Sequence, residues 1–205
     1  NGDHRAVVET ERRGVAYLRP LTKLLGSLVA GQSAAVRGEQ VEIGQLETDL
    51  ADVERVEVRH GAALSTRSRW PTLRDSIKEL IQRPGAPGLE AYQRWAQAVD
   101  LTVALVRRVG DTSKLILDDE IDSSYLVDAG LVRLPEIMQS AGQLADLGQI
   151  TPGLRAEDAR AAVLRDRIAI NSAQVATGLS NVADATSSGR VGSALLSPLD
   201  QFGAA

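Results

Sequence analysis

A chain of 205 residues that is 43% hydrophobic and 24% charged can bury a sizeable core, which excludes wholesale disorder. A net charge of −4 excludes a general nucleic-acid binder, which needs a basic surface to displace counterions from phosphates. The absence of cysteine excludes disulfides, thiolate metal sites and cysteine nucleophiles.

Aromatic residues are only 3% of the chain, and strands favour aromatic and β-branched residues, so the balance points to helix. The first helix is predicted over about residues 6–37, where Val15, Leu18, Leu21, Leu25 and Leu28 recur at three- and four-residue steps. Pro20 falls inside it and predicts a kink or a fresh start. A second helix is expected over 39–64, with Ile43, Leu46, Leu50 and Val53 facing inward. Glu39, Glu42, Glu47, Asp49, Asp52, Glu54 and Glu57 then read as its solvated face. Ser68 to Pro71 opens a third helix, with the proline in its first turn and Leu73, Ile77, Leu80 and Ile81 buried.

Pro84-Gly85-Ala86-Pro87-Gly88 is the clearest break in the chain. A fourth helix follows over about 88–110, through Leu89, Tyr92, Ala96, Val99, Val103 and Val106, and is expected to stop at Gly110. The fifth runs from Asp122–Ser124 to about Leu147 and ends at Gly148, with Pro135 as a second kink. After Pro152-Gly153, a sixth spans about 155–186 with Ala159, Val163, Ile170, Ala173 and Val182 inward. A Gly- and Ser-rich tail follows from Ser187. No strand pattern or fixed-period repeat is present. The expected fold is all-α, an elongated antiparallel bundle of about six helices forming one domain over 1–205. One bundle or two stacked ones both fit, with residues 84–88 as the seam.

No run of eighteen apolar residues exists, so nothing in the chain spans a membrane. There is no signal peptide, and the chain opens on Asn1 without a methionine, which fits a segment trimmed from something longer.

Catalytic chemistry is poorly represented. Only His4 and His60 occur, and neither has a second histidine at helical spacing to form a metal face. No nucleophile elbow, phosphate loop or dinucleotide fingerprint is found, so neither an enzyme nor a cofactor or metal is expected. Ser123 and Ser124 suit an N-cap. The acidic run Asp118-Asp119-Glu120-Ile121-Asp122 lacks the glycine turn and terminal glutamate of a calcium loop, and fits helix capping better. Arg12-Arg13 and Arg107-Arg108 have two readings. They close ion pairs with Asp111, Asp118 or Asp128, or they clamp a small anion in a forked geometry.

ERRGVAYLRPLTKLL at the start, VRRVGDTSKLILDDEIDSSYLVDAGLVRLPEIM in the middle and LLSPLDQF at the end resemble helical extracytoplasmic sensor domains. Such domains occur in bacterial transmembrane histidine kinases, chemoreceptors and related cyclases; helical nitrate-sensing domains are a weaker match. The resemblance implies a helix bundle on the extracytoplasmic face of the cell membrane, flanked by transmembrane helices absent from this chain, that signals to a cytoplasmic output domain, with a histidine kinase as the expected output. It aligns the family's tyrosine with Tyr125, its capping acids with Asp118 and Asp122, and its kinking proline with Pro135. Where related domains carry a His-Arg-Gly turn after the first helix, Val29-Ala30-Gly31-Gln32 stands here, so a shared ligand does not follow.

Candidate ligand-binding residues are Arg12, Tyr17, Arg107, Arg108 and Tyr125. Pro20, Asp111, Ser113, Asp118, Asp122, Asp128 and Pro135 make up the structural motif. The expected partners are a small molecule or anion, or a periplasmic or cell-wall protein, with a homodimer as the signalling unit and no nucleic acid. The rival reading is a ligand-free helical scaffold or adaptor, which shares every periodicity.

Overall fold

The computed structural model describes residues 2–113, 128–151 and 158–185. The described residues form α1 (Gly2–Arg37), α2 (Ile43–His60), α3 (Trp70–Gln82), α4 (Leu89–Thr112), α5 (Leu134–Ile150) and α6 (Ala159–Ala185), with a π-helical turn over Ala129–Arg133 leading into α5. Among them there is no strand, so the protein is an all-α bundle.

Local chemistry sets the helix limits. α1 runs 36 residues, about 54 Å, and continues through Pro20 rather than restarting there. It ends where Gly38 takes a φ of 71°, so that Gly38 N–H donates to Ala35 O and Glu39 N–H to Ala34 O. That paired closure needs a left-handed residue, which glycine adopts without a Cβ penalty. Pro71 sits in the first turn of α3, and α3 stops at Gln82 because Pro84 disfavours helical backbone at Arg83. Asp158 caps α6, accepting the Arg160 N–H at 3.1 Å.

Two expected stops do not occur. α4 passes through Gly110 to Thr112, whose hydroxyl donates to Leu64 O at 2.8 Å and ties the helix end to the α2–α3 connection. α5 passes through Gly148 to Ile150 and ends just ahead of Pro152. Glycine costs a helix only about 1 kcal/mol, which tertiary packing readily overrides. The kink expected at Pro135 takes the form of the π turn: Leu134 N–H donates to Ala129 O, five residues back, and the widened turn makes room for the proline ring. The start expected for the fifth helix at Asp122–Ser124, the Pro152-Gly153 break and the tail from Ser187 lie outside the described residues.

Residue pairings fix the directions of the helices. Tyr17 meets Glu57 and Ser27 meets Asp49, so α2 runs antiparallel to α1. The Gly88 N–H donates to Val36 O, and Gly31 seats Trp95, so α4 also runs antiparallel to α1. Gly26 faces Met138, Gly142 faces Val29, and Gln32 meets Asp146, so α5 runs parallel to α1. Arg160 meets Tyr92 and Asn171 meets Glu136, which sets α6 parallel to α4 and antiparallel to α5. The N-terminal third of α1 and the C-terminal half of α6 therefore point to the same end of the bundle.

One contiguous apolar core joins the helices. Leu21, Leu24, Leu25 and Leu28 of α1, Leu46 and Val53 of α2, Leu73 and Ile77 of α3, and Trp95 and Val106 of α4 pack with Leu147 and Leu164. It continues across residues 84–88, where the Trp95 indole N–H donates to Pro84 O at 2.9 Å. Some stripe positions fall elsewhere: Val15, Leu89, Val163 and Ile170 are exposed, as are Ala159 and Ala173. The inward face of α6 is instead Ala161, Leu164, Ile168, Asn171, Val175, Gly178 and Val182, alternating steps of three and four in a coiled-coil seam with a polar residue at its centre.

Three buried polar stations pin α1 to its neighbours. At the first, the Glu57 carboxylate accepts from the Tyr17 hydroxyl at 2.6 Å and from the Thr66 hydroxyl at 2.5 Å. At the second, Asp49 accepts from Ser27 and from Gln45 and pairs with Lys23 at 3.0 Å. Burial alone would raise Asp49, but Ser27, Lys23 and Gln45 together hold it below the usual carboxylate range. At the third, Asp146 accepts from Gln32 and Ser33, both at 2.8 Å. Two of the seven acids assigned to the solvated face of α2, Asp49 and Glu57, are thus buried, because each finds hydroxyl or amide donors on α1 or the α2–α3 connection.

Asp146 is only 1% exposed, and burial raises its pKa against the opposing pull of Ser33, Gln32 and the nearby Arg37. A raised folded-state pKa means that the native chain holds this proton more tightly than the unfolded chain. The stability it contributes is full below the unfolded value of about 3.9 and is lost as pH rises through the folded value. Urea unfolding of Asp146→Asn over that window is expected to show a shallower fall with pH than the parent protein; equal slopes would rule out Asp146 as the source.

A charged cleft between three helices

Three helices line a cleft of about 400 Å³. α4 supplies Asp100 and Arg107 two turns apart, α5 supplies Glu136 and Gln139, and α6 supplies Arg167. Val103 and Ala104, between the two α4 charges, form an uncharged floor.

The charges are held from behind. Arg107 forms an ion pair with Glu136. The same glutamate accepts from the Asn171 amide at 3.0 Å, and Asn171 in turn accepts from Arg133 at 3.2 Å. Arg133 also donates to Asp128 at 3.0 Å. The chain Asp128–Arg133–Asn171–Glu136–Arg107 thus links the π turn, α6, α5 and α4, with Asn171 buried at its centre. Asp100 accepts the Gln139 amide on Oδ1, with Gln143 at 3.5 Å on the same oxygen. The cover of α5 raises the Asp100 pKa, while Gln139, Gln143 and the Arg167 charge oppose the rise. About two turns away along α4 and α6, Arg160 lies 5.3 Å from the Tyr92 ring centroid and donates to its hydroxyl at 3.2 Å.

The residues singled out in the sequence disperse. Arg107 lines the cleft, and among the described residues its ion partner is Glu136, not Asp111 or Asp128. Arg108 lies outside it, its Nε buried without a hydrogen-bond partner among the described residues. Arg12 is exposed near the start of α1, and Arg13 pairs with Glu9 on the same helix. Tyr17 is wholly buried in the first polar station, where burial and the Glu57 carboxylate raise its pKa far above the phenolic range, so it serves as a neutral hydrogen-bond donor. Asp111 is exposed, Ser113 is buried with its hydroxyl on Gly110 O, and Asp128 pairs with Arg133. Tyr125, Asp118, Asp122, Ser123 and Ser124 lie outside the described residues. Val29-Ala30-Gly31-Gln32 is not a turn but part of α1, where Gly31 faces Trp95 and Gln32 binds Asp146.

Asp100, Glu136, Gln139 and Arg167 carry no local motif, since the cleft joins three helices far apart in the chain. The one available signal was Asp100, a lone acid within the apolar run of the fourth helix. Among the described residues, no group of three or more histidine, aspartate or glutamate side chains is placed to hold a metal ion, and no helix is long and apolar enough to cross a membrane. No family model, curated protein or solved structure matches this chain.

Proposed function

We propose that this chain is the extracytoplasmic ligand-sensing domain of a membrane-anchored bacterial receptor, of the sensor histidine kinase type, acting as a homodimer and doing no catalysis itself. The observation that carries the reading is the common direction of the outer ends of α1 and α6. α6 continues to Ala185, about 20 Å past Asn171, toward the end from which α1 enters. Two helices whose outer ends lie at the same end of the bundle can feed two membrane spans, and a relative shift between them can cross a bilayer.

The packing suggests which helix moves. α1 is tied to α2 and α5 by three buried polar stations, so sliding it by one turn breaks hydrogen bonds that the core cannot replace. α6 packs mainly on α5 and the π turn through an apolar seam, with Asn171 as its central polar tie. The displacement is therefore assigned to α6. A ligand must bind the two positions of α6 with different affinities, or no signal passes.

Reading the gene on both sides tests the assignment. Hydrophobic spans of about twenty residues on either flank are the expected result. A stop codon directly after Ala205 would favour the scaffold reading instead.

A further inference from the structure

We propose that the cleft between α4, α5 and α6 binds a small zwitterion, a metabolite with one carboxylate and one ammonium group, the carboxylate on Arg167 and the ammonium on Asp100. The proposal deepens the sensor reading and rests on it only for the consequence of binding.

The charge pattern selects the ligand class. The cleft holds two carboxylates and two guanidinium groups, so its formal charges cancel. A simple anion would sit against Asp100 and Glu136, and a simple cation against Arg107 and Arg167; each meets repulsion along with attraction. Only a ligand bearing both signs satisfies both.

The state of each charge then locates the contacts. Arg107 and Glu136 already neutralise one another, and Asn171 fills a further position on the glutamate. Asp100 and Arg167 remain. Arg167 is near enough to act on the Asp100 carboxylate through its charge, yet the two form no ion pair. Both line the same cleft, so one ligand can reach the two together. Gln139 and Gln143 both address Oδ1 of Asp100, which orients the carboxylate and leaves Oδ2 for the ammonium. A volume of about 400 Å³ is larger than one ion needs and falls in the range of small-metabolite sites. Val103 and Ala104 give the ligand's carbon chain an uncharged surface.

Asp100 belongs to the α1–α4 scaffold and Arg167 to α6, so a ligand bridging them biases the position of the helix assigned to move.

Calorimetric titration of the purified chain with L-alanine, β-alanine and 4-aminobutyrate tests this, because the three differ in the spacing of their charges. At least one is expected to saturate with a Kd of about 1 mM or tighter, and acetate and methylammonium to bind at least about tenfold more weakly. Arg167→Gln and Asp100→Asn should each weaken binding about tenfold or more. Both residues are exposed, so helical circular dichroism should be unchanged in the variants. No saturation by any of the three, equal affinity in Arg167→Gln, or equal binding of acetate would overturn the proposal. Binding without membrane spans on the flanks would keep the site and remove the receptor; flanking spans without binding would remove the site alone.

Discussion

Gly31→Ala is expected to destabilise the protein by about 2 kcal/mol, lowering its Tm by roughly 4–8 °C, although alanine normally stabilises a helix over glycine by about 1 kcal/mol. A Cβ at this position would lie 2.3 Å from Cζ3 and 2.6 Å from Cη2 of Trp95. The indole cannot step aside, since it is fully buried and its N–H is held by Pro84 O. The steric cost therefore outweighs the gain in propensity. Gly44→Ala in α2 is the control, because nothing lies within 4 Å of its added Cβ, and that variant should be neutral or slightly stabilised. A Trp95→Leu background should relieve most of the Gly31→Ala penalty in a double-mutant cycle. Additive effects would mean that the two residues do not touch.

Glu57→Ala is expected to cost about 3 kcal/mol or more in urea unfolding. It leaves the Tyr17 hydroxyl without its acceptor in a dry environment, leaves the Thr66 hydroxyl only the longer bond to Gly61 O, and opens a cavity. Both hydroxyl-bearing residues are fully buried, so water cannot replace the carboxylate without rearrangement. Glu57→Gln keeps one carbonyl acceptor and should cost less. Glu47→Ala, on the exposed side of the same helix, should stay within about 0.5 kcal/mol of the parent protein. A Glu57→Ala effect equally small would return Glu57 to the solvated face and dissolve the first polar station.

Periodicity was a good guide where a single physical cause dominates. Leu21, Leu25, Leu28, Leu46, Leu50, Leu73 and Ile77 are core residues because apolar side chains at helical spacing have one favourable side. The break at Pro84–Gly88 was legible because no helix forms through it. Periodicity failed where helices meet more than one neighbour. The inward seam of α6 passes through Asn171, a polar residue that a stripe search discards, and that shifts the apparent face to Val163 and Ile170. Asp49 and Glu57 look like ordinary surface acids until hydroxyls and amides from elsewhere in the chain close over them. The candidate site was hidden for the same reason. Of the charged cleft residues only Arg107 stood out in sequence, because arginine doublets are visible locally and a three-helix juxtaposition is not.

The common direction of α1 and α6 can be measured directly with spin labels, since the chain has no native cysteine to compete for them. Arg12, Ala159 and Ser180 are all exposed, so each accepts a label without disturbing the core. In double electron–electron resonance, the pair Arg12→Cys with Ser180→Cys is expected to be shorter than the pair Arg12→Cys with Ala159→Cys by about 20 Å or more, because α6 spans most of the bundle between its two sites. The reverse order would place the ends of α1 and α6 at opposite poles and contradict the arrangement on which the sensor reading depends.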